Sequence, residues 1–217
     1  MFVVPLVVLF VVLFSFYEKS LELQASQLLQ TEQEKGNAII GNQLEAVFSQ
    51  FVSDLLLVFD SAEFSLYVQD TAEHNRTELE QLFVRIANKK SYINHIRFLD
   101  ASGMETIKVT HYPNTPAGPS ETSFLQDRSD TELFSFGKTH DAKTTYVSSI
   151  GLESRQSFDD AHTGPAMVLA LPAYHEGAFF GLVIVDYDAC FLLSFLRDYQ
   201  RAMTKNITFG LVANDGK

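Results

Sequence analysis

The stretch Tyr92–Val109, YINHIRFLDASGMETIKV, decides the fold. Its first eight residues alternate: Ile93, His95, Arg97 and Leu99 share one face, and Tyr92, Asn94, Ile96 and Phe98 share the other. Alternation with a period of two is the mark of a β-strand. Asp100-Ala-Ser-Gly103 then supplies turn chemistry, and Met104–Thr110 alternates again. Two alternating runs joined by such a turn predict a β-hairpin.

Downstream, residues 111–122 carry three of the six prolines and are expected to form a loop. Residues 123–138 read as one or two short helices. Thr145–Ser149 is a third strand, Ala166–Tyr174 (AMVLALPAY) a fourth and Ala178–Tyr187 (AFFGLVIVDY) a fifth, with a turn at Glu176-Gly177. Residues 151–164 are polar and loop-like. A helix is expected from about Ala189 to Met203, and residues 207–212 open a further strand that leads to an Asn214-Asp-Gly216 turn.

Upstream, apolar residues recur at Ile40, Leu44, Val47, Phe48, Phe51, Leu55, Val58 and Phe59, in steps of three and four. That spacing puts them on one face of an α-helix. Residues 21–67 therefore read as one or two long helices, the polar first part (24–36) a stalk. A further helix is expected over Thr77–Lys89, with Thr77 and Glu80 spaced as a capping box. Residues 2–17, FVVPLVVLFVVLFSFY, hold no charged side chain. They are a little short of the ~20 residues of a membrane-spanning helix. A cleaved signal peptide would want a basic start and a small-x-small cleavage site, and the sequence offers neither. An uncleaved anchor helix is the expectation. The predicted organisation is anchor 1–17, an α+β module over 18–203, and the opening of a further unit at 204–217.

Helices outside, and a mostly antiparallel sheet of five strands, make an α+β domain: a long N-terminal helix, then a five-stranded antiparallel sheet with flanking helices. The 217 residues carry 16 Lys+Arg against 27 Asp+Glu, a formal charge of −11. An acidic body argues against nucleic acid, which needs clustered Lys and Arg. The single Cys190 excludes an intrachain disulfide. No two of the six histidines have the i, i+4 spacing of a helical metal site, and Asp159-Asp160 beside His162 reads as a solvated acidic loop. No P-loop, dinucleotide fingerprint or Gly-x-Ser-x-Gly occurs, so no cofactor and no catalytic residue is expected.

In order and spacing, Tyr92–Val109, Thr145–Leu152 (TYVSSIGL), Pro165–Tyr174, Gly181–Asp188 and the final Asn214-Asp-Gly216 resemble the extracytoplasmic double Cache (tandem PAS-like) sensor domains of bacterial transmembrane receptors. The resemblance implies a chain held between two transmembrane helices, ahead of a histidine kinase, diguanylate cyclase or chemotaxis output region that this sequence does not contain. It implies a piece of a longer receptor in the cell membrane, with residues 18–217 outside the cytoplasm. It also implies a homodimer through the N-terminal helix. The sequence departs from the resembled pattern at Met167-Val168-Leu169, where an Arg is common, and at Asp186, where Asn is common.

In the resembled fold, small ligands sit over the sheet, between the third-strand loop and the ends of the fourth and fifth strands. This makes Tyr146, Arg155, Tyr174, His175 and Asp186 candidate ligand-binding residues. Asp186 interrupts the apolar run GLVIVDYD, and a buried carboxylate needs a partner, either a ligand ammonium or an Arg. Arg97 could grip a ligand carboxylate bidentately. An ion pair with Asp100 or Glu105 is the competing reading for Arg97, and the favoured one. The expected ligand class is an amino acid, a carboxylate or an amine. A structural dimerisation module without ligand, or a membrane-anchored hydrolase, is the alternative; the latter lacks a nucleophile–base pair.

Overall fold

The structure, a computed structural model, describes residues 3–112, 114–141, 144–152 and 164–203; among side chains before residue 26, only those of 19 and 20 are described. The chain divides into two units, Met1–Glu45 and Ala46–Lys217. The first is helical throughout its described length, with the Thr31 hydroxyl donating to the Gln27 carbonyl at 2.8 Å. The predicted anchor falls here. Its backbone is helical from Val3, and the side chains of 3–18 lie outside the described residues. Among the described residues, no helix is long and apolar enough to cross a membrane.

Helix α1 spans Val3–Phe59, unbroken at Gly36 and Gly41. It ends where Ser61 caps the next helix, α2 (Ala62–Gln69), its hydroxyl accepting from the Phe64 amide at 3.1 Å. Helix α3 covers Glu73–Lys89, four residues longer at its start than the predicted Thr77 boundary. The capping box is not formed: the Thr77 hydroxyl donates back to the Glu73 carbonyl inside the helix. Asp70 organises the real start, accepting from the Ala72 amide at 3.0 Å and, through its carbonyl, from Asn75 at 2.9 Å. A hydroxyl three residues before an acid is compatible with a cap or with a mid-helix back-bond, and the turn at Asp70 selects the second.

Strands β1 (Ile93–Asp100) and β2 (Glu105–Thr110) form the expected hairpin. Asp100 closes its turn, the Oδ1 atom accepting from the amides of Ser102, Gly103 and Met104. A two-residue strand β3 (Gly118–Pro119), a 3-10 turn at Thr122–Phe124 and helix α4 (Glu132–Thr139) follow. Then come β4 (Tyr146–Val147), β5 (Gly151–Leu152), β6 (Pro165–His175), β7 (Ala178–Asp188) and helix α5 (Ala189–Met203). The predicted strand and turn at 207–216 lie outside the described residues. The sheet is antiparallel throughout, in the order β3-β2-β1-β7-β6-β4, with β5 also on β6. The five predicted strands are all present; β3 and β5 extend them. Glu176 and Gly177 at the β6–β7 turn both have positive φ (50° and 82°), the geometry that matches the twist of a tight hairpin.

The strands bury both faces, as their near-continuous burial shows. One face, with Ile96, Phe98, Ile107, Val109, Val183, Val185, Tyr187, Leu169 and Leu171, packs on Phe51, Leu55 and Val58 of α1, Phe64 and Tyr67 of α2, and Leu79, Phe83 and Ile86 of α3. Gly181 lets this packing close: a Cβ there would lie 2.5 Å from the Phe98 ring and 2.2 Å from the Leu99 carbonyl oxygen. The other face carries a smaller apolar cluster of Leu99, Ala170, Leu182 and Ile184 under Phe134 of α4. On the β1, β2 and β7 part of that second face, charged residues gather beside this cluster.

Candidate functional site

The register makes the charged group. On β1, His95 lies opposite Asp186 of β7, and Arg97 lies between Ile184 of β7 and Lys108 of β2. The bulge after Phe98 brings Glu105 opposite Leu99, onto the same face. All five are buried: Asp186 is 0 % exposed, His95, Lys108 and Glu105 1 %, and Arg97 8 %. Ionisable side chains are almost never buried this deeply unless paired.

Arg97 Nη2 donates to Asp186 Oδ2, and its Nη1 lies 3.8 Å from Glu105 Oε1. His95 Nδ1 is 3.2 Å from the same Asp186 oxygen. Glu105 is held from the loop before α4, accepting from Arg128 Nε at 3.2 Å and from the Gln126 amide at 3.1 Å. Thr110 and Ser120 share a hydroxyl contact of 3.0 Å at the β2 edge. The face thus offers donors of both imidazole and guanidinium type beside carboxylates. It can complement a small molecule that bears both charges.

Two of the candidate residues, Arg97 and Asp186, become each other's partner. The competing ion pair of Arg97 is half present: Glu105 is near, whereas Asp100 is occupied in its turn. Tyr146 sits opposite Ala170 on the same side of the sheet, and burial followed by the Glu132 charge pushes its phenol up. Arg155 lies outside the described residues. Tyr174 and His175 stand elsewhere. Asp186 faces Val168 across β6, and six strand residues separate Val168 from Tyr174, roughly 20 Å. There the Tyr174 hydroxyl donates to the His140 carbonyl at 2.7 Å. Tyr174 and His175 are among the residues that line a cleft of about 300 Å³ with Phe59, Phe64, Ser65 and Val68.

His95, Lys108 and Arg128 join the group without having been singled out. For His95 and Lys108 the signal was available: each is a polar residue on an alternating strand, in phase with Arg97 or its cross-strand partner. The strand pairing places His95 in the interior, opposite Asp186. Among the described residues, no group of three His, Cys, Asp or Glu side chains could hold a metal ion.

This combination of long helix, antiparallel sheet and buried charge on the far face defines a sensor-type α+β module. The profile of the bacterial histidine kinase sensor domain matches residues 38–216, and the chain belongs to that family. Its fold is similar to that of the extracellular domain assigned to a histidine kinase, vpHK1S-Z8 (24% identity, TM-score 0.66, covering 78% of this chain and 63% of that one). It is also similar to a domain assigned to a sensory box/GGDEF family protein of Vibrio parahaemolyticus (26%, TM-score 0.62, 74% and 60%). A third likeness, of fold alone, is to the ligand-binding domain of the Campylobacter jejuni chemoreceptor Tlp3 in complex with L-norvaline (13%, TM-score 0.53, 81% and 62%). The chain thus spans under two thirds of the length of each. None of the curated proteins matches it.

Proposed function

We propose that the chain is the extracytoplasmic ligand-sensing region of a bacterial transmembrane receptor, and that the charged sheet face takes a small amino-acid-like molecule. The observation that carries this reading is the Arg97–Asp186–His95 group, buried with Lys108 and Glu105. Burying such a group costs several kcal/mol per ion and is weak evidence for stability, so a role in recognition accounts for it better. Arg97 and Lys108 suit a ligand carboxylate and Asp186 suits an ammonium; Tyr146 and Arg155 are the further candidates, between Lys108 and Asp186 in the sequence. The Tlp3 domain, solved with L-norvaline and with L-valine, supports an amino acid as the first class to try.

In this reading residues 2–17 anchor the chain in the cell membrane, α1 pairs with its copy in a homodimer, and ligand binding shifts α1 to inform a cytoplasmic output domain. Exposed Leu56, Leu57 and Leu66 on α1 and α2 favour such a self-association surface. The test is thermal denaturation of the chain against amino acids, dicarboxylates and amines. A ligand present at 100 times its Kd should add about 2.7 kcal/mol. Asp186→Ala and Arg155→Ala should abolish the shift, whereas Tyr174→Phe should keep it. If no member of a broad panel moves the melt while the chain still dimerises, the ligand reading fails and the dimerisation module replaces it.

A further inference from the structure

Strand β7 carries Asp186 and Tyr187 side by side, and alternation sends them to opposite faces. Asp186 enters the charged group. Tyr187, 0 % exposed, crosses the helix-side core, and its hydroxyl donates to the Phe51 backbone carbonyl of α1 at 2.8 Å. Its ring stacks on the Phe51 ring, with centroids 4.1 Å apart and planes 17° apart. Tyr92, just ahead of β1, adds a second tie. Its ring lies 5.5 Å from that of Phe51, and its hydroxyl donates to Asp54 Oδ2 at 2.8 Å. Asp54 is itself buried, and its other oxygen accepts from Gln50 Nε2 at 2.8 Å and faces Lys90 Nζ at 3.2 Å. The two ties are one helical turn apart on α1, and they start from neighbouring strands: Ile93 faces Tyr187, and the Asp188 amide donates to the Tyr92 carbonyl at 2.8 Å.

The neighbouring α1 contacts come from Leu55 and Val58 and are apolar. Apolar contact is non-directional and tolerates sliding, whereas a hydrogen bond fails beyond a few tenths of an ångström or about 60° of misalignment. A slip of α1 by one residue moves it about 1.5 Å along its axis and takes both acceptors out of place. We propose that Tyr187, with Tyr92 and Asp54 beside it, couples the charged group on the far face to the axial register of residues 46–59 of α1. A change at Asp186 displaces β7, and Tyr187 carries the displacement to the helix. As a signalling device this rests on the sensor reading above; as a coupling within the fold it does not.

Hydrogen exchange on the chain, without ligand, tests it. Asp186→Asn perturbs the charged group while keeping its shape, and Arg97→Lys is the second perturbation should the first fold poorly. Either should speed exchange of the amides at 52–58 of α1 by about fivefold, the ratio expected for one lost hydrogen bond, while the amides at 83–87 of α3 change less. In a Tyr187→Phe background the same perturbation should leave 52–58 no more affected than 83–87. Equal acceleration of both helices, or an α1 response that survives Tyr187→Phe, overturns the coupling. An absence of any melting shift with ligands would sink the ligand reading and leave this exchange result standing.

Discussion

The two faces of the sheet are made by alternate residues of the same strands, yet they obey different rules. Toward the helices, Ile96, Phe98, Val183 and Val185 form an apolar layer. One residue along each strand, His95, Arg97, Ile184 and Asp186 face the other way, and charge replaces half of the hydrocarbon. The first face supplies the burial that folds the domain; the second spends part of that stability on buried charged groups, to which the proposed function gives a role in recognition. A one-residue slip of β1 or β7 would exchange the two sets, so the apolar face also fixes the register of the charged one.

Substitutions can break this contrast. Phe98→Ala removes a ring that is 1 % exposed and in contact with Phe64, Tyr67 and Phe180, and should cost about 3–5 kcal/mol in urea denaturation. Arg97→Ala leaves the Asp186 carboxylate short of its guanidinium and should cost about 3 kcal/mol. Removing both charges should cost far less: Arg97→Met with Asp186→Leu is expected within about 1 kcal/mol of the parent in the same assay, while ligand response vanishes. If the double variant is as unstable as Arg97→Ala, the charged face is structural and the contrast collapses.

Tyr187→Phe should cost about 1 kcal/mol and alter the alkaline limb of stability. Burial, and then the charges of Asp54, Tyr92 and Asp186, push the Tyr187 phenol well above its ordinary 10.0. The native state therefore keeps the proton at a pH where the unfolded chain releases it. The stability this provides is complete below pH 10 and is lost as pH rises past 10 toward the folded value. Tyr67 and Tyr92 are shifted in the same direction by burial, so the parent should lose stability above pH 10 and Tyr187→Phe should lose less of it. An unchanged slope would show that Tyr187 is solvated. At the small end, Arg85→Ala breaks a 2.5 Å contact with Glu63 in which the arginine is 48 % exposed; the melt should move by less than about 1 kcal/mol.

The hairpin at 92–110, the β6–β7 hairpin and the end of α1 were legible because each is a local period: two for strands, three and four for the helix. The start of α3 was not, because Asp70, which precedes the helix, sets it by accepting from the Ala72 amide and from Asn75 of the first turn. Among the site candidates, Arg97 and Asp186 were both visible as charged breaks in apolar strands, but their pairing spans 89 residues and depends on β1 lying beside β7. The β6–β7 hairpin itself separates Tyr174 from Asp186, because Tyr174 pairs with Phe179 beside the turn while Asp186 pairs with Val168 at the far end.

What the sequence determined by itself was therefore the kind of element at each position and which residues share a face, because backbone geometry ties side-chain direction to position along an element. Those periods, with the order of elements, were enough for an α+β module, and the resemblance carried by the same stretches implied a sensor. The tertiary structure alone decided which faces meet: that His95 turns to Asp186, that Glu105 joins them through a bulge, and that Tyr187 reaches the carbonyl of Phe51 across 136 residues. Strand order and register are global properties. They are selected by the burial of the whole apolar face, and no local window of sequence contains them.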